Sequence, residues 1–122
     1  MAIELKYTKD HEWIRVEDDI AVVGITDYAA DQLGDVVYVD LPAAGTSVSA
    51  GKVIGEVEST KSVGEIFAPL DGEIVEVNEV VSENPELVNH DPFGAAWLVK
   101  IRFTNMPADL LDEAAYQALI AE

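Results

Sequence analysis

Apolar residues along the chain come in short alternating or continuous runs of strand length, broken by Gly, Pro, Asn and Asp, and few segments repeat at helical spacing. Leu5 to Asp10 is a polar lead-in. His11 to Val16 alternates weakly, with Glu12, Ile14 and Val16 on one side and His11, Trp13 and Arg15 on the other. Glu17-Asp18-Asp19 turns the chain without a glycine, and Ile20 to Ile25 is a continuous, β-branched apolar run. Thr26 or Asp27 can cap a short helix over Tyr28 to Leu33, which Gly34 ends in the left-handed conformation. Asp35 to Leu41 alternates, Val37 and Val39 against Val36, Tyr38 and Asp40, and Pro42 stops it. Val53 to Glu58 and Ser62 to Ala68 predict two strands joined by a turn at Ser59-Thr60-Lys61, and Gly72 to Asn78 predicts another. Ser82 to Gly94 reads as a loop with one helical turn from Asn84-Pro85 to Asn89. A last strand covers Ala96 to Phe103, and Pro107 opens a helical tail to Glu122 whose residues Leu111, Ala115, Leu119 and Tyr116, Ile120 recur every four positions.

Two of these strands resemble each other. Gly34-Asp35-Val36-Val37-Tyr38-Val39-Asp40 parallels Gly72-Glu73-Ile74-Val75-Glu76-Val77-Asn78, and each copy is followed by a Val-Ser pair, Val48-Ser49 and Val81-Ser82. The copies bracket the hairpin that carries Lys61. Short strands at close spacing predict a mainly β sandwich or flattened barrel. Two similar halves add a pseudo-two-fold axis, with the tip of the central hairpin exposed at one end.

Composition narrows the class. The 122 residues suggest one domain, 1–122, with enough apolar content, 49%, to fold despite a formal net charge of −17. That charge repels nucleic acid and anionic membranes, keeps copies of the chain apart and favours encounter with basic surfaces. There is no cysteine, hence no disulfide framework, Cys-based zinc site or thiol chemistry on the polypeptide itself. The two histidines, His11 and His90, do not make a metal site, and Trp13 and Trp97 read as core anchors. No apolar run reaches membrane-spanning length, and Met1-Ala2-Ile3-Glu4 resembles no targeting segment, so a cytoplasmic, monomeric protein is expected.

A lysine in a turn is ordinarily only a solvated charge. Lys61 differs in sitting at an expected hairpin tip among small residues, Ser59, Thr60 and Ser62, in a chain whose other lysines are Lys6, Lys9, Lys52 and Lys100. Both a modified and an unmodified lysine fit that pattern.

The stretch Glu58-Ser59-Thr60-Lys61-Ser62 resembles the lipoyl-lysine site of the glycine cleavage H-protein family. His11-Glu12-Trp13, Gly24-Ile25-Thr26-Asp27-Tyr28-Ala29, Leu33-Gly34-Asp35-Val36-Val37, Asn84-Pro85-Glu86-Leu87-Val88-Asn89, Asp91-Pro92-Phe93-Gly94 and Trp97-Leu98 are similar to further blocks of that family, in order along the chain. The resemblance implies a barrel-sandwich hybrid of the lipoyl/biotin-carrier type with short helices, including a C-terminal one, and N- and C-terminal extensions. It implies a non-enzymatic carrier with lipoate amide-linked to Lys61. Such a carrier takes the aminomethyl group of glycine from the P protein (glycine decarboxylase) to the T protein (aminomethyltransferase), and the L protein (dihydrolipoamide dehydrogenase) reoxidises the arm. Glu58 and Gly72 match positions used in recognition by lipoylating enzymes. Asp10, Glu12 and Glu65 match a cleft that shelters the loaded arm, although Asp10 stands where the family often has a small hydroxyl residue. Rival readings are a scaffold of this type relaying lipoate to other enzymes, a lipoyl domain of a 2-oxoacid dehydrogenase, a biotin carrier and an unmodified interaction module. The Asp-Lys-Ala turn of the dehydrogenase domains and the methionines beside a biotinyl-lysine are both missing here.

Overall fold

The computed structural model describes residues 5–107 and 110–121. Residues 1–4, and part of the tail expected from Pro107 to Glu122, lie outside the described residues. The described strands are β1 (Leu5–Tyr7), β2 (Glu12–Glu17), β3 (Ile20–Ile25), β4 (Val36–Asp40), β5 (Ser47–Val48), β6 (Val53–Ser59), β7 (Val63–Phe67), β8 (Gly72–Val77) and β9 (Val99–Arg102). They form a six-stranded sheet in the order β1-β2-β3-β9-β8-β5 and a three-stranded sheet β4-β6-β7. Helices α1 (Asp27–Leu33), α2 (Glu79–Glu83), α3 (Leu87–His90) and α4 (Glu113–Ile120) are short.

The β2–β3 hairpin turns on Asp18, which takes φ 58 where no glycine is available. Asp tolerates that region because its short side chain bonds locally. Opposite each other in β2 and β3 stand Trp13 and Gly24. A Cβ on Gly24 would lie 2.6 Å from the indole, so the missing side chain makes room for the fully buried ring. Trp13 Nε1 donates to the Pro92 carbonyl at 2.9 Å. Trp97 is only half-buried, with the Lys100 ammonium 4.9 Å above its ring.

The alternation expected over 35–41 fails for a definable reason. The β4–β6 register shifts between Val36 and Tyr38, so Val37 is an extra residue with 54% exposure, while Val36 and Val39 both reach the core. A bulge of this kind turns the following side chains to the opposite face. The β8–β9 register shifts between Ile74 and Glu76, at the aligned position of the second copy. Val36 and Ile74, which precede the two bulges, are both buried. The sequence repeat is thus also a repeat of backbone irregularity.

Thr26, rather than Asp27, caps α1, its Oγ1 accepting from Ala29 N at 3.2 Å, and Gly34 closes it at φ 90. Asn89 of α3 pins the next corner: Nδ2 donates to the Gly34 carbonyl and Oδ1 accepts from Val36 N, both at 2.8 Å. Helix α2 was not legible in the alternation; it is nucleated by Asn78, whose side chain caps Val80 N.

The described part of the tail docks differently from a four-residue apolar stripe. Ala115 is exposed and Tyr116 is the residue of α4 that is buried. Leu111 and Tyr7 exchange backbone hydrogen bonds of 2.7 and 2.8 Å, and the rings of Tyr7 and Tyr116 stack at 4.7 Å. A main core between the sheets centres on Ile14, Val23, Ile66, Leu70, Ile74 and Ile101, and a second cluster of Tyr7, Trp13, Val22 and Tyr116 lies under the tail.

Candidate functional site

Strands β6 and β7 form the hairpin that carries Lys61, with Glu58 opposite Val63 as the last pair before the turn. The turn is built from its own serine. Ser59 Oγ accepts from Lys61 N at 3.2 Å and Ser62 N at 3.0 Å, and donates to the Ser62 carbonyl at 3.1 Å. Thr60 N donates to the Asp35 carbonyl at 3.1 Å, tying the tip to the start of β4. Lys61 is exposed and forms no ion pair among the described residues, and its stem passes Gly34, where a Cβ would stand 3.1 Å from Cε. The backbone of the turn is therefore fixed while the side chain stays exposed.

Three residues on, Gly64 faces Leu33 of α1, and a Cβ there would lie 3.2 Å from the leucine. Beside it lies a cleft of about 330 Å³ between α1 and β7. Ile25, Leu33, Val57 and Ile66 contribute apolar wall, while Asp10, His11 and Glu65 contribute polar groups. Asp10 and Glu65 thus meet at one cleft, both exposed at its rim.

Glu12 is held elsewhere. Its side chain is 1% exposed and lines a second cavity of about 540 Å³, which shares Asp10 with the first. Thr8 Oγ1 donates to Glu12 Oε1 at 3.0 Å and Phe67 N donates to Oε2 at 2.8 Å. Burial pushes the carboxyl up to about 7; the two hydrogen bonds oppose this, and the neighbouring Asp10 charge adds to it. Glu12 also joins the β1–β2 turn to the end of β7, across the two sheets.

Glu58 is half-buried in β6, between Tyr38 and Val63, one residue before the turn. Gly72 begins β8 in the other sheet, where a Cβ would collide with the Arg102 carbonyl oxygen, so strand packing alone requires glycine there. Among the described residues no group of three His, Asp or Glu side chains could hold a metal, and no helix is long and apolar enough to cross a membrane.

Residues that pattern reading passed over also build this site. His11 lies in the cleft wall with φ 68, a conformation that strand alternation does not signal. Its Nδ1 is 2.9 Å from the Tyr116 hydroxyl, and that hydroxyl is 2.7 Å from Thr26 Oγ1. A pairing across 105 residues leaves no local trace in the sequence.

A lysine on a braced tip, beside a cleft with apolar walls and acidic ends, suits a long, mostly apolar adduct with a cationic terminus. Comparisons with known proteins place the chain in a family. The family model described as glycine cleavage H-protein matches residues 5–122. A glycine cleavage system H protein from Clavibacter sepedonicus is 58% identical over 118 residues, covering 97% of this chain and 95% of the relative. One from Thermotoga maritima is 52% identical over 119 residues, covering 96% of each. The crystal structure of a glycine cleavage system H protein from Mycobacterium marinum superposes with a TM-score of 0.93 at 41% identity, covering 100% of both chains. By sequence and by fold, the chain belongs to the glycine cleavage H-protein family.

Proposed function

We propose that this chain bears lipoate in amide linkage on Lys61 and serves as the carrier of the glycine cleavage system, taking the aminomethyl group of glycine from the P protein to the T protein and meeting the L protein for reoxidation. The observation that carries the reading is the exposed amine, unpaired among the described residues, on a braced hairpin tip beside a cleft of about 330 Å³. The residues fit the group: small side chains flank the amine, Gly34 leaves room for the lysine stem, Gly64 leaves room for Leu33 in the cleft wall, and the cleft is apolar along its walls. When bound, lipoate supplies a disulfide that opens and closes in two-electron exchange. The chain does the rest. Its hairpin presents the arm, its apolar wall excludes water, and Asp10 and Glu65 offer carboxylates to a cationic end, with Glu12 in the adjoining cavity. Without cysteine, no polypeptide thiol can trap the arm in a mixed disulfide.

The same reading makes the protein a non-enzymatic, cytoplasmic, monomeric carrier, with Glu58 and Gly72 as points of recognition for lipoylating enzymes. A formal charge of −17 favours encounter with partners that carry basic faces. Intact mass after treatment with a lipoylating enzyme tests the site: the wild-type chain gains one lipoyl group and Lys61→Arg gains none. Equal modification of both refutes the assignment. Reconstitution with the P, T and L proteins tests the role. Lipoyl transfer to another carrier without glycine-dependent turnover would replace this reading by a lipoate relay.

A further inference from the structure

We propose that His11 is an arm-binding residue whose Nε2–H is a fixed hydrogen-bond donor in the wall of the Lys61 cleft, and that Tyr116 of the C-terminal helix is the positioning residue that sets it. This rests on the reading of Lys61 given above.

The backbone at His11 is held from both sides. Its φ of 68 is uncommon for a residue other than glycine and persists only where the surroundings over-determine it. His11 N donates to the Thr8 carbonyl at 3.1 Å, and the His11 carbonyl accepts from Thr26 N at 3.0 Å. The ring lies 4.9 Å from that of Tyr28 and meets Tyr116 edge-on at 5.7 Å. A side chain aimed this way by an unusual backbone, and lining the cleft, is placed to touch whatever enters it.

The proton's position follows from counting donors and acceptors. Thr26 is 0% exposed and Tyr116 2%, so neither hydroxyl can bond to bulk water. Thr26 Oγ1 already accepts from Ala29 N. The remaining partner of Thr26 Oγ1 among the described residues is the Tyr116 hydroxyl at 2.7 Å. A buried hydroxyl hydrogen requires an acceptor. If Tyr116 donated to Thr26, the threonine hydrogen would have none. Thr26 therefore donates to Tyr116, and Tyr116 donates to His11 Nδ1 at 2.9 Å. A neutral imidazole that accepts at Nδ1 carries its hydrogen on Nε2. Burial favours that neutral form, with the Asp10 charge opposing it.

A neutral donor in this wall does two things. It offers a hydrogen bond to an acceptor on the arm, either the carbonyl oxygen of the amide or a sulfur. Unlike an imidazolium, it does not repel a cationic arm end, which leaves the cation to the carboxylates of Asp10 and Glu65.

The test is two-bond ¹⁵N–¹H correlation of the imidazole in three forms of the full chain: unmodified, octanoylated at Lys61 and lipoylated at Lys61, each verified by intact mass. The expected result is hydrogen on Nε2 in the unmodified chain and a shift of the Nε2–H resonance on acylation. A shift in both acylated forms assigns the carbonyl as acceptor; a shift in the lipoylated form alone assigns sulfur. Tyr116→Phe, folded by circular dichroism, should turn His11 into a mixture of tautomers, while Thr26→Ser should keep the wild-type pattern. Hydrogen on Nδ1 in the unmodified wild-type chain, or an unmoved Nε2–H in both acylated forms, overturns the role of His11. An unchanged pattern in Tyr116→Phe overturns the role of Tyr116. No mass gain at Lys61 removes the carrier reading itself and this inference with it, a failure distinct from a mass gain without a shift.

Discussion

Replacing Glu12 by glutamine should remove a loss of stability that the wild-type chain suffers as pH rises to neutrality, although it alters a residue that joins the two sheets. The carboxyl is 1% exposed and its proton affinity is raised from an ordinary value of 4.5 to about 7. The folded chain therefore holds a proton that the unfolded chain releases. Stability contributed by this group is full below about 4.5 and falls as pH rises through about 7. At 1.36 kcal/mol for each tenfold change in proton affinity, the gap between 4.5 and about 7 amounts to about 3 kcal/mol. Glutamine keeps an oxygen for Phe67 N and a group that can reach Thr8, but carries no proton to lose. The assay is urea unfolding of both variants from about pH 4 to pH 8, followed by the emission of the fully buried Trp13. Carboxylates remote from position 12 act alike in both variants, so the difference reports Glu12 together with its coupling to Asp10. The stability of Glu12→Gln minus that of wild type should rise by about 3 kcal/mol across the range, whatever fixed offset the amide introduces. A flat difference would refute the reasoning. It would mean that the hydrogen bonds from Thr8 and Phe67 outweigh burial and hold Glu12 ionised at ordinary pH.

Two further predictions test the packing around the site. Gly24→Ala places a methyl within 2.6 Å of the Trp13 indole; overpacking of this kind should cost about 1–3 kcal/mol, lower the thermal midpoint and red-shift tryptophan emission, and an unchanged midpoint would show that the ring can move. Glu56 stands directly opposite Asp40 on one side and Glu65 on the other, and none of the three forms an ion pair among the described residues. Glu56→Gln should therefore stabilise by several tenths of a kcal/mol up to about 1, with the gain shrinking as salt screens the row; a loss of stability at low salt would contradict it.

What the chain disclosed about its fold depended on how local the cause was. Ile20 to Ile25 and the two strands around Lys61 were legible because a strand buried or half-buried along its length prints its pattern directly. Val37 was misassigned because alternation assumes an unbroken register, and a bulge inserts a residue without changing composition. The repeat held the correction. The shift in β4 recurs at the aligned residue of β8, so the similarity between the segments starting at Gly34 and Gly72 encoded a shared irregularity rather than a shared alternation. Helix α2 escaped because its five residues are too few to show a period, and its start depends on the Asn78 cap.

The site divides along the same line. Lys61 and its serines are neighbours in sequence, and the turn that braces them is a local hydrogen-bond pattern, so the hairpin tip could be read from five consecutive residues. Asp10, Glu12 and Glu65 could be named together only through resemblance, since nothing local says which of three carboxylates on an acidic chain share a cavity. Their separation follows from the backbone just before β2: the strand begins at Glu12, and the φ of 68 at His11 breaks the alternation that would otherwise put Asp10 and Glu12 on one face. Glu12 begins that strand with its carboxyl bonded to Thr8 and Phe67 above the second cavity, while His11, just before it, turns at φ 68 into the cleft beside Lys61. Adjacent residues thus serve adjacent cavities. Asp10, which lines both, links the two cavities, because its negative charge raises the cost of ionising Glu12. A cation held at Asp10 would relieve that cost and favour ionisation of Glu12. Filling the cleft with a cationic arm end should therefore draw the Glu12 carboxyl down from about 7, whereas a neutral arm should leave it there.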